Sequence, residues 1–148
     1  MLAWLVTCAV PTATANDLCG ATILEDLKLD HDLTCTGDGL IVGADGIKID
    51  LNGYSIAGSG GGVGIAVTGR ADISIAGGTI RNFAVAMRVN TSTDVVIKHN
   101  QILENPEGVD CQSGCVGNTI KDNVFRDSAT RGIMLRSNSR DNDIKNNT

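Results

Sequence analysis

Residues 118–123 read NTIKDN, and closely similar hexapeptides lie on either side, VVIKHN at 95–100 and NDIKNN at 142–147. These three belong to a longer series of blocks that each begin with an apolar residue. The first residues of the blocks are 24, 22, 23 and 24 positions apart: Leu51, Ile75, Ile97, Ile120 and Ile144. A nearly constant period of about 20 to 50 residues is typical of solenoids and other repeat architectures.

A second motif recurs between these blocks and keeps the same phase. It reads GIAV at 64–67, AMRV at 86–89, GVDC at 108–111 and GIML at 132–135. Its apolar residues are spaced by 22, 22 and 24 positions: Ile65, Met87, Val109 and Ile133. Because two independent columns advance together, we interpret the period as a structural repeat.

Each unit has the apolar alternation of short β-strands. Ile47, Ile49 and Leu51 alternate with other residues, and glycine-rich joints such as GSGGGVG at 58–64 exclude a continuous helix. Strands this short are not stable in isolation. If the chain coils once per unit, each strand pairs with its copy about 4.8 Å away. The sequence therefore predicts an all-β fold, a parallel β-helix of about five coils over residues 39–148.

An asparagine column runs through the last three units, at Asn100, Asn123 and Asn147. We expect these residues to occupy bends, where Asn tolerates unusual backbone angles. Their side-chain amides would lie one above another and hydrogen bond as a ladder. In the first two units, Tyr54 and Gly78 stand at this position, so the predicted ladder covers only the later coils.

Leucine-rich repeats are the competing architecture, because residues 95–102 partly match their core pattern. The expected leucine, however, is Ser92, Cys115 or Ser139 in successive units. Asn118 and Asn142 also occupy the next apolar position. Since the rest of each unit shows strand alternation and no Leu-rich helix, we favour the β-helix.

The N-terminal region divides into two segments. Residues 1–15 read as a signal peptide, with a short apolar stretch at 2–10 and the cleavage-site pattern Ala13-Thr14-Ala15. A lipid anchor on Cys8 is the alternative. Residues 16–38 are more charged and irregular, as expected of an N-terminal cap over the open end of a solenoid. We therefore predict a secreted or extracytoplasmic protein, with coils that continue beyond Thr148.

Four cysteines remain after residues 1–15: Cys19, Cys35, Cys111 and Cys115. An even number suits an oxidising compartment, and sequence proximity favours the pairs Cys19–Cys35 and Cys111–Cys115. The second pair encloses only three residues, so free thiols or a metal-binding pair are alternatives there. No second Cys or His pair accompanies it, and we expect no metal and no cofactor.

Composition limits the partners. The chain has 148 residues, a net charge of −5, 18 glycines and 3% aromatic residues. Nucleic-acid binding favours clustered Lys and Arg with aromatic stacking platforms, and this chain has neither. We expect no nucleic-acid partner, and no membrane association once the signal is removed.

The repeated NTIKDN, NDIKNN and GIML blocks, together with LTCTGDGLIVGADGIKIDLNGYSI at 33–56, resemble right-handed parallel β-helix repeat proteins of the pectin-lyase-like superfamily. The resemblance covers residues 19–148 and includes NosD-type proteins and carbohydrate-acting modules. It implies a right-handed coil and a polysaccharide ligand on an outer sheet face. It does not select an activity, because members include lyases, hydrolases, epimerases and non-catalytic proteins.

Two outward columns are candidate ligand-binding faces. Arg88 and Asp110 stand in one column on adjacent coils, with Gln112 and Arg136 beside them. A second column holds Lys98, Lys121 and Lys145, which suits an anionic ligand. The simpler interpretations are a surface salt bridge and a solvated lysine stripe.

Three functions remain open from the sequence. The first is a secreted module that binds or assists the processing of an acidic polysaccharide. The second is a non-catalytic structural or surface protein. The third is a uronate lyase or epimerase using Arg88 and Asp110, which would need a base and a cation near the sugar carboxylate.

Overall fold

The computed structural model describes residues 18–148, so the predicted signal peptide and Cys8 lie outside the described residues. Residues 18–148 form seventeen short strands. In chain order they are β1 (Thr22–Ile23), β2 (Leu27–Lys28), β3 (Leu33–Thr34), β4 (Leu40–Val42), β5 (Lys48–Asp50), β6 (Ser55–Ala57), β7 (Val63–Thr68), β8 (Ser74–Ala76), β9 (Thr79–Arg81), β10 (Val85–Asn90), β11 (Val96–Lys98), β12 (Gln101–Leu103), β13 (Glu107–Gln112), β14 (Thr119–Lys121), β15 (Val124–Arg126), β16 (Arg131–Leu135) and β17 (Asp143–Lys145).

Every third strand belongs to the same parallel sheet. Sheet A has the order β1-β4-β7-β10-β13-β16, sheet B has β2-β5-β8-β11-β14-β17, and sheet C has β3-β6-β9-β12-β15. Each of the first five coils thus contributes one strand to each sheet, the last contributes β16 and β17 to sheets A and B, and each coil pairs only with its neighbours. The predicted parallel β-helix is confirmed, and no helix within residues 18–148 is long and apolar enough to cross a membrane.

The predicted columns are in register on neighbouring coils. Ile75 pairs with Ile97, and Ile97 pairs with Ile120. The second column pairs in the same way, with Ile65, Met87, Val109 and Ile133 in successive strands of sheet A. Side chains at these positions point inward and are buried, except Ile133 in the last coil, which is partly buried against the core. Full burial of each such side chain stabilises the fold by about 1.5 to 3 kcal/mol relative to exposure.

The predicted register of the first block, which aligns Leu51 with Ile75, is wrong. Ile49, not Leu51, pairs with Ile75, although Ile56 pairs with Ile80 as expected. The corner between sheets B and C contains residues 51–54 in this coil but only residues 77–78 in the next. Two extra residues therefore separate the two strands, and Leu51 fills the wider corner as a fully buried side chain.

The predicted cap contains a coil of its own. Within residues 16–38, strands β1, β2 and β3 pair with β4, β5 and β6 and form the end strands of the three sheets. Ile23, Leu29 and Leu33 point inward and are buried, whereas the acidic residues that make this segment look irregular point outward. The charged composition thus belongs to the outer surface of a coil.

The asparagine column forms a continuous set of side-chain hydrogen bonds. Asn100 Nδ2 donates to Asn123 Oδ1 at 3.2 Å, and Asn123 Nδ2 donates to Asn147 Oδ1 at 3.0 Å. The same amides also hydrogen bond to main chain, because Asn123 Nδ2 donates to the carbonyl of Ile97 at 3.0 Å and Asn123 Oδ1 accepts from the backbone N–H of Asn100 at 3.0 Å. A second column, Asn118 and Asn142, repeats only the bonds to main chain, with Asn118 N donating to Asn142 Oδ1 at 3.0 Å.

The ladder asparagines do not adopt the unusual backbone angles expected of them. The residue before each one does: His99, Asp122 and Asn146 have φ angles of 54°, 55° and 53°. These residues make the left-handed step of a two-residue corner, and their side chains point outward. The following asparagine then points inward, where its amide satisfies the backbone groups that the corner leaves unpaired.

The two predicted disulfides have different outcomes. Cys19 and Cys35 are bonded, with a Cα–Cα distance of 5.5 Å and a sequence separation of 16. Cys111 and Cys115 are free thiols, so the predicted second disulfide is not formed in the structure. Both thiols are buried. They lie on either side of the corner formed by residues 112–114.

Replacing the central ladder residue should cost far more stability than replacing an exposed amide. Asn123→Leu leaves buried groups on three coils without partners, and we expect the free energy of unfolding to fall by about 3 kcal/mol. Gln101→Leu, on the exposed face of β12, should change it by less than about 0.5 kcal/mol. Urea denaturation of both variants measures the difference. Equal losses would contradict a structural role for the ladder.

Removing the Cys19–Cys35 disulfide should loosen the first coils. For a closed loop of this length, the double variant Cys19→Ser/Cys35→Ser should lose about 3 kcal/mol of stability. Thermal unfolding with and without a reducing agent provides the check. The reductant should lower the melting temperature of the natural chain and leave that of the double variant unchanged. A natural chain indifferent to reductant would argue against this bond.

Candidate functional site

The outer face of sheet A carries a compact group of charged and amide side chains, here called the charged cluster. Its members are Arg88, Glu107, Asp110, Gln112, Arg131 and Arg136. They come from β10, β13, β16 and the residue after β16, which lie on three neighbouring coils. Register pairing aligns Arg88 with Asp110, and Glu107 with Arg131. Strand alternation turns Asp110 outward, since its neighbours Val109 and Cys111 are in the core.

Asp110 is the centre of the cluster and is almost completely covered. Its side chain is 1% exposed, although it stands on an outward position. Arg136 Nε donates to Asp110 Oδ1 at 2.8 Å, and Gln112 Nε2 donates to Asp110 Oδ2 at 2.6 Å. Arg88 Nε lies 3.8 Å from Asp110 Oδ2. The carboxylate is therefore enclosed by side chains from three successive coils, of which Arg136 and Gln112 donate hydrogen bonds to it.

Arg136 connects the two carboxylates of the cluster. Its Nη2 atom lies 3.9 Å from Glu107 Oε2, and Arg131 Nη1 lies 3.5 Å from Glu107 Oε1. The hydrogen bond to Asp110 raises the pKa of the Arg136 guanidinium further above its ordinary value. These contacts orient the guanidinium, while the Arg136 side chain as a whole is 42% exposed.

Arg88 is less completely used by the protein. Its side chain is 36% exposed, and its contact with Asp110 is too long for a hydrogen bond. Within residues 18–148, the buried Nε atom of Arg88 has no hydrogen-bond partner. Because Nε is covered, a ligand can reach only the exposed part of the Arg88 side chain, and a guanidinium matches a carboxylate in the bidentate geometry.

The structure brings together one of the two predicted faces and separates it from the other. Arg88, Asp110, Gln112 and Arg136 meet in the charged cluster. Lys98, Lys121 and Lys145 are in register on sheet B, which is a different sheet. Lys145 Nζ pairs with Asp143 Oδ2 at 2.5 Å, a contact that also raises the pKa of Lys145.

Glu107 and Arg131 were missed by the sequence analysis. They occupy the column that precedes the apolar one, where the two earlier coils carry Val63 and Val85. Valine at this position in the two earlier coils indicates a buried column. The column therefore gave no reason to expect the charged residues that later coils carry there. The signal was the pairing of opposite charges, Glu107 and Arg131, 24 residues apart.

The arrangement of the cluster favours binding over proton transfer. A general base needs a carboxylate that reaches the substrate, and both oxygens of Asp110 are occupied by protein donors beneath the surface. No group of three or more metal-ligating side chains occurs in the part of the chain that the structure describes. The cluster exposes parts of three arginine side chains to solvent, those of Arg88, Arg131 and Arg136.

A separate cavity of about 400 Å³ lies on the first coil, lined by Leu18, Leu24, Leu27 and neighbouring residues. Its walls are mainly apolar, and none of the charged-cluster residues contributes to it. The cavity and the cluster are therefore different features of the molecule.

Comparison with known proteins places the chain among β-helices. The family described as "Right handed beta helix region" matches residues 19–148. No curated protein matches the sequence. Among solved structures, a candidate glycosyl hydrolase from Parabacteroides merdae is similar, with 15% sequence identity and a TM-score of 0.51, over 85% of this chain and 80% of that one.

The two carboxylates of the cluster should differ in their effect on stability. Asp110→Asn replaces a buried acceptor by an amide that cannot satisfy the same donors, and we expect a loss of about 1 to 2 kcal/mol. Glu107→Gln changes a more exposed pair and should cost less than about 0.5 kcal/mol. Chemical denaturation measures both variants. A larger loss for Glu107→Gln would show that the centre of the cluster has been misidentified.

Proposed function

The chain belongs to the right-handed beta-helix family, and we propose that it binds an acidic polysaccharide along the outer face of sheet A. The observation that carries this proposal is the pair of half-exposed arginines, Arg88 and Arg136, held around the buried Asp110. Preorganised guanidinium groups bind carboxylates with little further loss of side-chain entropy. Uronic acids provide such carboxylates at regular intervals along a polymer.

The local charge supports an anionic ligand. The whole chain has a net charge of −5, yet the cluster has three arginines against two carboxylates. The cluster therefore has a net charge of +1 on a protein that is acidic as a whole. An acidic polymer would be attracted to this face and repelled from much of the remaining surface.

The row of arginines favours a polymer over a single acid. Arg88 lies two coils before Arg131 and Arg136, which share one coil, so the arginines span three coils along the stacking direction of sheet A. A ligand with repeated carboxylates can engage several of them at once, and the second contact then forms at a high effective concentration. A small monocarboxylate would gain only one such contact.

Two broader observations agree with an extracellular carbohydrate ligand. The Cys19–Cys35 disulfide is compatible with a location outside the cytoplasm. The bacterial candidate glycosyl hydrolase of the same fold supports a carbohydrate-related role in general terms. Neither observation identifies the sugar, so the choice of an acidic polymer rests on the arginines.

The enclosed state of Asp110 separates binding from the enzymatic alternative. A uronate lyase or epimerase would need a base that can approach the proton on the sugar ring. Asp110 is covered, and both of its oxygens accept hydrogen bonds from the protein, which makes it a positioning group for the arginines in this proposal. The spacer alternative requires no exposed donors at all, and it leaves the arrangement of Arg88 unexplained.

The proposal is tested by binding measurements on two matched double variants. Arg88→Gln/Arg136→Gln should weaken binding to polygalacturonate or alginate about tenfold or more, because the main carboxylate contacts are lost. Arg81→Gln/Arg126→Gln removes the same charge from exposed positions on sheet C and should change the affinity less than about twofold. Isothermal titration calorimetry at two salt concentrations provides the affinities, with neutral dextran as the ligand control.

Three other results would count against the proposal. Absence of binding to either acidic polymer would favour the structural spacer. Equal weakening by the two double variants would indicate non-specific attraction to charge. Release of an unsaturated sugar product, followed by ultraviolet absorbance, would instead support lyase action.

A further inference from the structure

The outer face of sheet A continues from the charged cluster toward the first coils as an uncharged strip. Four residues define this uncharged strip: Ile41, Ala66, Thr68 and Asn90. Ile41, Ala66 and Arg88 are in register in β4, β7 and β10, and Thr68 pairs with Asn90 in the neighbouring column. Because Arg88 and Asn90 belong to the same strand, the strip begins where the charged cluster ends.

The strip residues point away from the core. Ala66 is partly exposed between two fully buried neighbours in β7, and Ile41 is partly exposed between two buried neighbours in β4. Thr68 is exposed at the end of β7. Ala66 has a shorter side chain than Ile41 and Arg88, which precede and follow it in the column. The face of the sheet therefore has a low point at Ala66, between two longer side chains.

The strip is uncharged, and the carboxylates at its borders already bind the protein. Strands β1, β4 and β7 contain no acidic residue. Asp38 Oδ1 accepts a hydrogen bond from Val63 N at 2.8 Å, and Asp45 Oδ1 accepts one from Ala71 N at 3.1 Å. These two carboxylates lie in the corners before and after β4. An anionic polymer can therefore extend from the charged cluster over β7 and β4 without meeting a carboxylate on the face of the sheet.

Asn90 and Thr68 provide polar groups along one side of the strip. Thr91 Oγ1 donates to Asn90 Oδ1 at 3.2 Å, a bond that uses the amide oxygen and not the amide nitrogen. The Thr68 hydroxyl lies one coil earlier in the same column. Ligand sites combine an apolar lining with a small number of placed polar groups. The strip has this composition, with Ile41 and Ala66 as its apolar part.

We propose that the uncharged strip is a second part of the polysaccharide site, where the apolar face of a sugar ring rests on Ala66 and its hydroxyl groups contact Thr68 and Asn90. The carboxylate of the neighbouring sugar unit binds Arg88, so the polymer runs from the charged cluster toward β4. This inference rests on the proposed function, because Arg88 is the contact from which the ligand continues.

The strip lengthens the site along the stacking direction. Ile41 lies two coils before Arg88, and coils spaced by about 4.8 Å add about 10 Å to the site. A sugar unit on the strip is covalently connected to the unit at Arg88. Its contacts therefore form at a high effective concentration, and a longer oligomer binds more tightly.

The dependence on oligomer length locates the strip. Digalacturonate is expected to bind the charged cluster alone, because the arginines bind its carboxylates, whereas hexagalacturonate also covers the strip. In NMR titrations of the full chain, the backbone N–H signals of Ala66 and Thr68 should shift with hexagalacturonate and stay in place with digalacturonate. The Nε–Hε signal of Arg88 should shift with both oligomers.

A first pair of variants fills the low point and its counterpart on another sheet. Ala66→Gln should weaken hexagalacturonate binding about fivefold and change digalacturonate binding less than about twofold, because only the longer ligand reaches Ala66. Ala57→Gln is the matched control, since Ala57 pairs with Arg81 on sheet C as Ala66 pairs with Arg88 on sheet A. It should change both affinities less than about twofold. Isothermal titration calorimetry measures them.

A second pair of variants adds a carboxylate at an exposed strand position. Thr68→Glu should weaken hexagalacturonate binding about fivefold or more at low salt, and the loss should shrink as salt screens the repulsion. Thr34→Glu adds the same charge at an exposed position of β3 on sheet C and should have little effect on either oligomer.

The inference is overturned if Ala66→Gln and Thr68→Glu both bind hexagalacturonate as tightly as the natural chain does. If Arg88→Gln/Arg136→Gln still weakens binding in that case, the proposed function stands without the strip. Equal losses for the two oligomers would show that the substitutions act through Arg88, which also rejects the strip. If the natural chain binds neither oligomer, the proposed function fails and the inference fails with it.

Discussion

No strand within residues 18–148 can form its ladder hydrogen bonds within its own coil. The strands are two to six residues long, and each has partners only in the coils before and after it. The stacking of coils is therefore the interaction on which everything else depends. It also decides which side chains meet, because residues 19 to 26 positions apart in sequence become neighbours on one face. The charged cluster is one result of this arrangement.

The corners between sheets B and C show how the stack accommodates different residues. Early coils use four-residue corners filled by Leu29 and Leu51, whereas later coils use two-residue corners filled by asparagine. Gly78 stands where the two types meet, and a side chain there would collide with Leu51. In the coils after Gly78, asparagine amides replace the apolar packing of the corner. Their hydrogen bonds connect neighbouring coils. A buried polar column is stable only because every member is satisfied.

The sequence predicted the sheets well because strand alternation and a constant period are both properties of the chain itself. It placed Leu51 wrongly because a two-residue difference in corner length leaves the local pattern unchanged. Arg88, Asp110, Gln112 and Arg136 could be grouped from their columns. Glu107 and Arg131 could not, because the same column is valine in earlier coils. The near-complete burial of Asp110 depends on how long side chains fold over it, which periodicity does not describe.

The central claim is that a stack of coils presents Arg88 and Arg136 as a site for acidic sugars. An NMR titration with oligogalacturonate that follows the arginine Nε–Hε signals tests this most directly. The account predicts that the signals of Arg88 and Arg136 shift together and saturate with one binding constant, while those of Arg81 and Arg126 remain in place. Shifts confined to other arginines, or none at saturating oligosaccharide, would contradict it.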